Sequence, residues 1–118
     1  MTNQTDGKLL ALLAYASALF LYLHLVIFLA FLGTFILLNM GRNREFVAFH
    51  HRQMFGIGLI AILVNSLANV VPNGWIALLF ITGVVMIAAI GFLAAIKNLK
   101  TPLPYIGEKF QQWFKFIQ

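Results

Sequence analysis

Two of the three histidines in this 118-residue chain sit side by side in the phrase EFVAFHHRQ, Glu45 to Gln53, together with a glutamate and an arginine. Imidazoles, a carboxylate and a guanidinium this close together could bind a metal, carry haem or move a proton. The spacing argues against a shared metal. On a helix, His50 and His51 project about 100° apart and cannot readily hold one ion between them. His24 lies in a different segment, so a metal or haem site needs His24 and His50, or a symmetry mate, at one depth. Hydrolytic chemistry is worse served. Asp6, Glu45 and Glu108 are the only carboxylates, they are widely separated, and none falls with a Ser and a His in a triad-like arrangement. The absence of cysteine removes thiol nucleophiles, thiolate metal sites and disulfides. GIG at Gly56 to Gly58 is too short for a phosphate-binding loop and reads as close helix packing. The chain is therefore expected to be non-enzymatic, with no cofactor and no catalytic or metal-ligating residue. A haem-binding subunit using His24 and His50 is the one alternative in which these side chains do redox chemistry.

The elements that position these residues are apolar. Hydrophobic residues make up 62% of the chain and charged residues 9%, against about 25% charged in soluble domains. All the Asp, Glu, Lys and Arg residues fall outside two uncharged runs, Leu9 to Met40 and Gln53 to Ile96, as the cost of a charge in lipid requires. This composition predicts a single all-α integral membrane domain over 1–118, with three hydrophobic segments forming three to four membrane helices. The net charge of +5 then points to anionic headgroups and to orientation, not to nucleic acid. The N-terminal run is too long for a signal-peptide core and is expected to be retained. Asn3-Gln4-Thr5 matches a glycosylation pattern by chance.

The first segment, 9–40, would be about 48 Å long as one helix against a hydrocarbon core of about 30 Å. It is either one steeply tilted helix or two short arms forming a re-entrant hairpin. No Gly, Pro or Asn lies between Leu9 and Leu32, which favours continuity. The cation pattern favours the hairpin, because Lys8 then shares a side with Arg42 and Arg44. Asn39, Gly41 and Asn43 stop the run, and a helix over 45–71 follows, with Gly58, Ala61, Asn65 and Ala68 as a small and polar contact stripe. Pro72-Asn73-Gly74 is a turn, and 75–96 is a second span with Ala88, Gly91 and Ala95 on one face. The two spans form an antiparallel hairpin. Pro102 and Pro104 break the chain, and 105–118 is expected to be an amphipathic interfacial helix, with Ile106, Phe110, Trp113, Phe114 and Ile117 opposite the polar residues.

These elements assign roles. Phe46, Phe49, His50 and Gln53 pack the junction at the membrane surface, His50 and Gln53 facing inward to bond helix ends or a neighbouring segment, while His51 and Arg52 reach lipid phosphate. Gly58, Ala61, Asn65, Gly91 and Ala95 are expected at helix or partner contacts. His24, an ionisable group at membrane depth, calls for a partner among Ser17, Tyr22 and Asn65, with Ser17 and His24 sharing a helix face with Ala14 and Leu21. Arg42, Arg44, Arg52, Lys97, Lys100, Lys109, Trp113 and Lys115 are expected at lipid headgroups. Since the 72–74 turn has no cation, the 41–53 loop and the C-terminus belong on the cytoplasmic side.

Three phrases also carry a resemblance: the apolar opening from Leu12 to Ser17, the FxxFHxRQ pattern of Phe46, Phe49, His50, Arg52 and Gln53, and PLPYIGEKF near the end. Together they resemble small bacterial membrane proteins related to the twenty-kilodalton subunit of the chloroplast inner-envelope import translocon, and are similar to some magnetosome membrane proteins. The resemblance spans nearly the whole chain. It implies an all-helical protein of the bacterial cytoplasmic membrane. The functional expectation is a scaffold or accessory subunit, bound to the bilayer and to other membrane subunits or to copies of itself. An oligomeric channel or translocon-like component is the alternative.

Overall fold

Apolar runs leave backbone N–H and C=O groups to pair with one another, and here they do so as helices. The computed structural model describes residues 7–118; Asp6 and Asn3-Gln4-Thr5 lie outside the described residues. Helix α1 spans Lys8–Ala16 and continues as a 3-10 segment, Ser17–Tyr22; α2 is Leu25–Asn39, α3 Glu45–Ala68, α4 Gly74–Ile96 and α5 Gly107–Trp113. The described residues are all-α.

The first apolar run breaks at Leu23 and His24 without a Gly or a Pro. Tightening into the 3-10 form ends the first arm, and Leu23 and His24 both return their N–H groups to the Phe20 carbonyl. His24 is extended (φ −170, ψ 140), and its Nδ1 accepts from Val26 N at 3.0 Å, capping α2. The chain then folds back, so that α2 packs against α1 and the 3-10 segment. The ends of the first hairpin accordingly meet: the Arg44 side chain lies beside Gly7. The intended helix face of Ala14, Ser17, Leu21 and His24 is cut short by this break. Ala14, Ser17 and Leu21 are buried, whereas His24 is exposed.

Between α2 and α3, Gly41 and Asn43 take left-handed backbone (φ 75 and 56), which suits Gly and Asn and lets the chain turn within a few residues. Helix α3 stops at Ala68, short of the 71 anticipated, because Pro72 removes the donor that would extend it; Val70 and Val71 remain in turn hydrogen bonds. Asn73 accepts from Trp75 N and starts α4. The second hairpin, α3 against α4, is the most extensive helix pair, and the first packs across it through α1 with α3 and α4 and through α2 with α3.

Small residues set these approaches. Gly58 faces Leu32 and Phe28 of α2, and Gly91 lies against the Tyr15 ring. Ala61, Ala88, Gly91 and Ala95 are buried, while Asn65 is half-buried near the end of α3. Helices α3 and α4 are each long and apolar enough to cross a membrane, with mean hydropathy 1.4 and 2.7. The first-hairpin arms are shorter apolar helices.

The tail departs from one amphipathic helix over 105–118. Tyr105 is left-handed (φ 72), helix is confined to Gly107–Trp113, and the chain turns again at Phe114. Its apolar side closes on α3 instead of lying free. Phe110 packs over Gly56, where an added Cβ would come within 2.5 Å of the ring, and the Phe114 and Phe116 rings meet Phe55 at 4.8 and 5.6 Å. Ile117 is buried.

Candidate functional site

After the exposed Glu45, the start of α3 is enclosed by other segments. Along Phe46–Gln53 only Arg52 escapes full burial. Such enclosure favours a partner inside the protein for each polar atom; His51 Nδ1 is buried without one, while the hydrogen bonds around His50 form a directed chain. His50 Nε2 lies 2.9 Å from Leu99 O, an acceptor only, so Nε2 carries the proton. In the neutral ring Nδ1 is then the acceptor, and Tyr15 donates its hydroxyl to it at 2.7 Å. Gln53 Nε2 donates to Tyr15 Oη at 2.9 Å, and Gln53 Oε1 accepts from Leu103 N at 2.8 Å. Every donor meets an acceptor. Phe46, Phe49 and Tyr15 surround the His50 ring edge-on, at 4.8, 5.1 and 5.4 Å between centroids. Gly107 must lack a side chain here, since a Cβ would come within 2.9 Å of Gln53 Oε1 and 2.8 Å of the Pro102 backbone.

His50 and Gln53 thus join α1, α3 and the 99–103 loop. His51 departs from its expected place at lipid phosphate. It is fully buried, with Nε2 donating to Leu10 O at 3.2 Å, because α1 covers the side of α3 that was to face outward. Arg52 also departs from a headgroup role. Its side chain is 12% exposed; it pairs with Glu45 at 2.9 Å, donates from Nε to Ile117 O at 2.8 Å and reaches Gln111 Oε1 at 3.1 Å. Gln111 in turn donates to Phe49 O. The guanidinium fork is committed to holding the tail. Arg52→Lys, which keeps the charge and loses the planar fork, is expected to cost about 1–2 kcal/mol of stability and to speed amide exchange over residues 111–118, read by hydrogen exchange with mass spectrometry.

The remaining cations gather at the same end. Lys8 Nζ donates to Ile96 O and Asn98 Oδ1, both at 2.7 Å. Arg44 is half-buried beside Gly7. Arg42, Lys97, Lys100, Lys109 and Lys115 are exposed, as is Trp113 at 58%. The turns at Leu23–His24 and Val70–Asn73 contain no cation.

His24 is not brought to the partners anticipated for it. Its ring caps α2, Ser17 bonds to Ala14 O, and Tyr22 bonds to Thr82 Oγ1 at 2.9 Å. His24 and His50 lie at opposite ends of the first hairpin, and both ring nitrogens of His50 are occupied. One chain therefore cannot use the pair as haem ligands. No group of three His, Asp or Glu able to hold a metal occurs among the described residues.

Tyr15, Leu99, Leu103 and Gln111 were not singled out from residue chemistry. A signal was nevertheless present. Tyr15 belongs to the Leu12–Ser17 phrase, Leu103 and Gly107 to the PLPYIG phrase, and His50 and Gln53 to the central one, so the three phrases that carry the resemblance meet in one hydrogen-bonded clamp. With each polar atom of His50, Tyr15 and Gln53 already paired, the clamp offers structural fixation and presents no open position to a substrate. No family model matches the chain, and neither a curated protein nor a solved structure does.

Proposed function

We propose that this chain is a multi-pass protein of a bacterial cytoplasmic membrane, with its cationic end in the cytoplasm, and that it serves as a non-enzymatic scaffold or accessory subunit of a larger membrane complex. The observation that carries the reading is the exposure of α4. Its most apolar stretch has mean hydropathy 2.7, yet only 17% of that stretch is buried. Leu79, Met86, Ile90 and Leu93 are more than half exposed. In water each such side chain would forgo about 1.5–3 kcal/mol of burial, and contiguous apolar surface on this scale marks a membrane or a partner. Lipid supplies the covering medium, and the concentration of Arg42, Lys97, Lys100, Lys109 and Lys115 at one end supports the orientation. Trp113 and the polar side of α5 suit the headgroup layer above the tail's contact with α3.

The accessory role follows from where the polar groups are spent. His50, His51, Gln53 and Arg52 hold the protein's own segments together, and the outer face of α4 between its ends is apolar helix surface. Such a molecule acts by being packed against. Solubilisation in mild detergent after in-membrane crosslinking, followed by mass spectrometry, is expected to return a stoichiometric membrane partner or a defined homo-oligomer. Recovery of a clean monomer would overturn the scaffold reading.

A further inference from the structure

The two hairpins reach different depths. Gly58 of α3 meets both Leu32 and Phe28 of α2, so residue 58 lies level with about residue 30, and at about 1.5 Å per residue His24 lies level with residue 64. Helix α3 runs on to Ala68 and the chain to the Pro72 turn, roughly 6–12 Å further. A second register comes from α4. Tyr22 Oη bonds Thr82 Oγ1 at 2.9 Å, and Thr82 stands about 12 Å above the Gly74 start of that helix. Both registers leave the first hairpin about 10 Å short of the second.

In the membrane reading, on which this inference rests, Trp75 marks the far interface and the tip at Leu23–His24 ends inside the far leaflet. A chain break there is unfavourable against lipid tails, because irregular backbone at membrane depth persists only where protein or water covers it. The surface directly beyond the tip is polar. Asn65 and Asn69 of α3 project within about 20° of Gly58, the face that α2 covers nearer the cationic end. Beyond His24 no part of α2 remains to cover it. Asn65 is half-buried and Asn69 exposed, His24 is exposed at the tip, and Tyr22 and Thr82 join their hydroxyls on the α4 side.

We propose that these residues enclose a water-accessible recess in the far leaflet, roofed by Leu23 and His24 and walled by Asn65, Asn69 and the Tyr22–Thr82 pair. It admits water and small hydrogen-bonding solutes from the side opposite the cations. Water solvates the broken backbone at the tip and draws the far leaflet inward around the shorter hairpin.

The cysteine-free chain permits a direct test in proteoliposomes with a membrane-impermeant maleimide. Single cysteines are placed in the recess (His24→Cys, Asn65→Cys, Asn69→Cys), at the same depth on the opposite side of α3 (Leu63→Cys, Leu67→Cys), and at the two ends (Asn73→Cys, Arg42→Cys). Maleimide reacts with thiolate, which forms in water and not in hydrocarbon. The recess cysteines are expected to react from the Asn73 side at least about tenfold faster than Leu63→Cys and Leu67→Cys. Equal, slow reaction at recess and lipid-facing positions while Asn73→Cys labels would overturn the recess and leave the membrane reading intact. Labelling of Asn73→Cys and Arg42→Cys from one face would instead reject the membrane orientation itself. The three recess positions lie on two segments, so a folding defect in one variant does not decide the outcome.

Discussion

Gly91→Ala is expected to destabilise the protein by about 3 kcal/mol, read as the shift in its unfolding midpoint in mixed detergent micelles. The added methyl would overlap the Tyr15 ring, lying 2.6 Å from Cζ and 2.9 Å from Oη. Elsewhere a ring could swing aside. Tyr15 is buried and held at its far end by His50 and Gln53, so displacing it opens two buried hydrogen bonds as well as the packing between α1 and α4. Overpacking alone costs about 1–3 kcal/mol, and each buried polar group left unpaired adds about 1–3 kcal/mol. Gly83→Ala provides the control. It lies on the same helix with nothing within 4 Å of the added Cβ, and exchange of Gly for Ala in a helix interior favours the helix by about 1 kcal/mol. The two substitutions should therefore shift stability in opposite directions. Equal effects would show that the Tyr15 contact does not position α1.

Gln53→Leu should cost about 2–4 kcal/mol and, more tellingly, should release the loop beyond α4. Leucine is close to glutamine in size and fills its place in the core. What is lost is the acceptor for Leu103 N, which is left buried without a partner, and the donor to Tyr15 Oη, whose hydroxyl keeps only its bond to His50 Nδ1. The Leu103 bond pins the Pro102–Pro104 stretch to α3, and the tail that follows docks on the same helix. Limited proteolysis is expected to cut between Leu99 and Gly107 at least about tenfold faster in the variant, since cleavage tracks the population of the locally opened form. A double-mutant cycle with Tyr15→Phe should show coupling of about 0.5–3 kcal/mol, because both residues serve one network. Unchanged proteolysis would mean that the tail is held by Arg52 and the Phe110 contact alone.

Much of the architecture was legible in residue order. The uncharged runs mark where apolar helices form, and the breakers Gly41, Asn43, Pro72 and Pro102 act through local backbone preference, which needs no tertiary information. The positions of Gly58, Ala61, Ala88, Gly91 and Ala95 could likewise be read as contact faces from helical spacing. The break at His24 was less accessible. Nothing in the local sequence forces it, and an imidazole becomes a helix cap only once the chain around it has turned.

The Glu45–Gln53 phrase marks the boundary between the two kinds of information. Its residue types and helical spacing, by themselves, determined that His50 and His51 point apart, that they cannot share a metal, and that His50 and Gln53 share a face. Only the tertiary structure decided that His51 and Arg52 also lie against protein. Periodicity describes the directions in which side chains leave a helix, but the medium each one meets depends on what arrives from elsewhere. Here α1 arrives over His51, the loop after α4 over His50 and Gln53, and the tail over Arg52, so a helix end that spacing alone would leave half in water and lipid becomes the most enclosed part of the molecule.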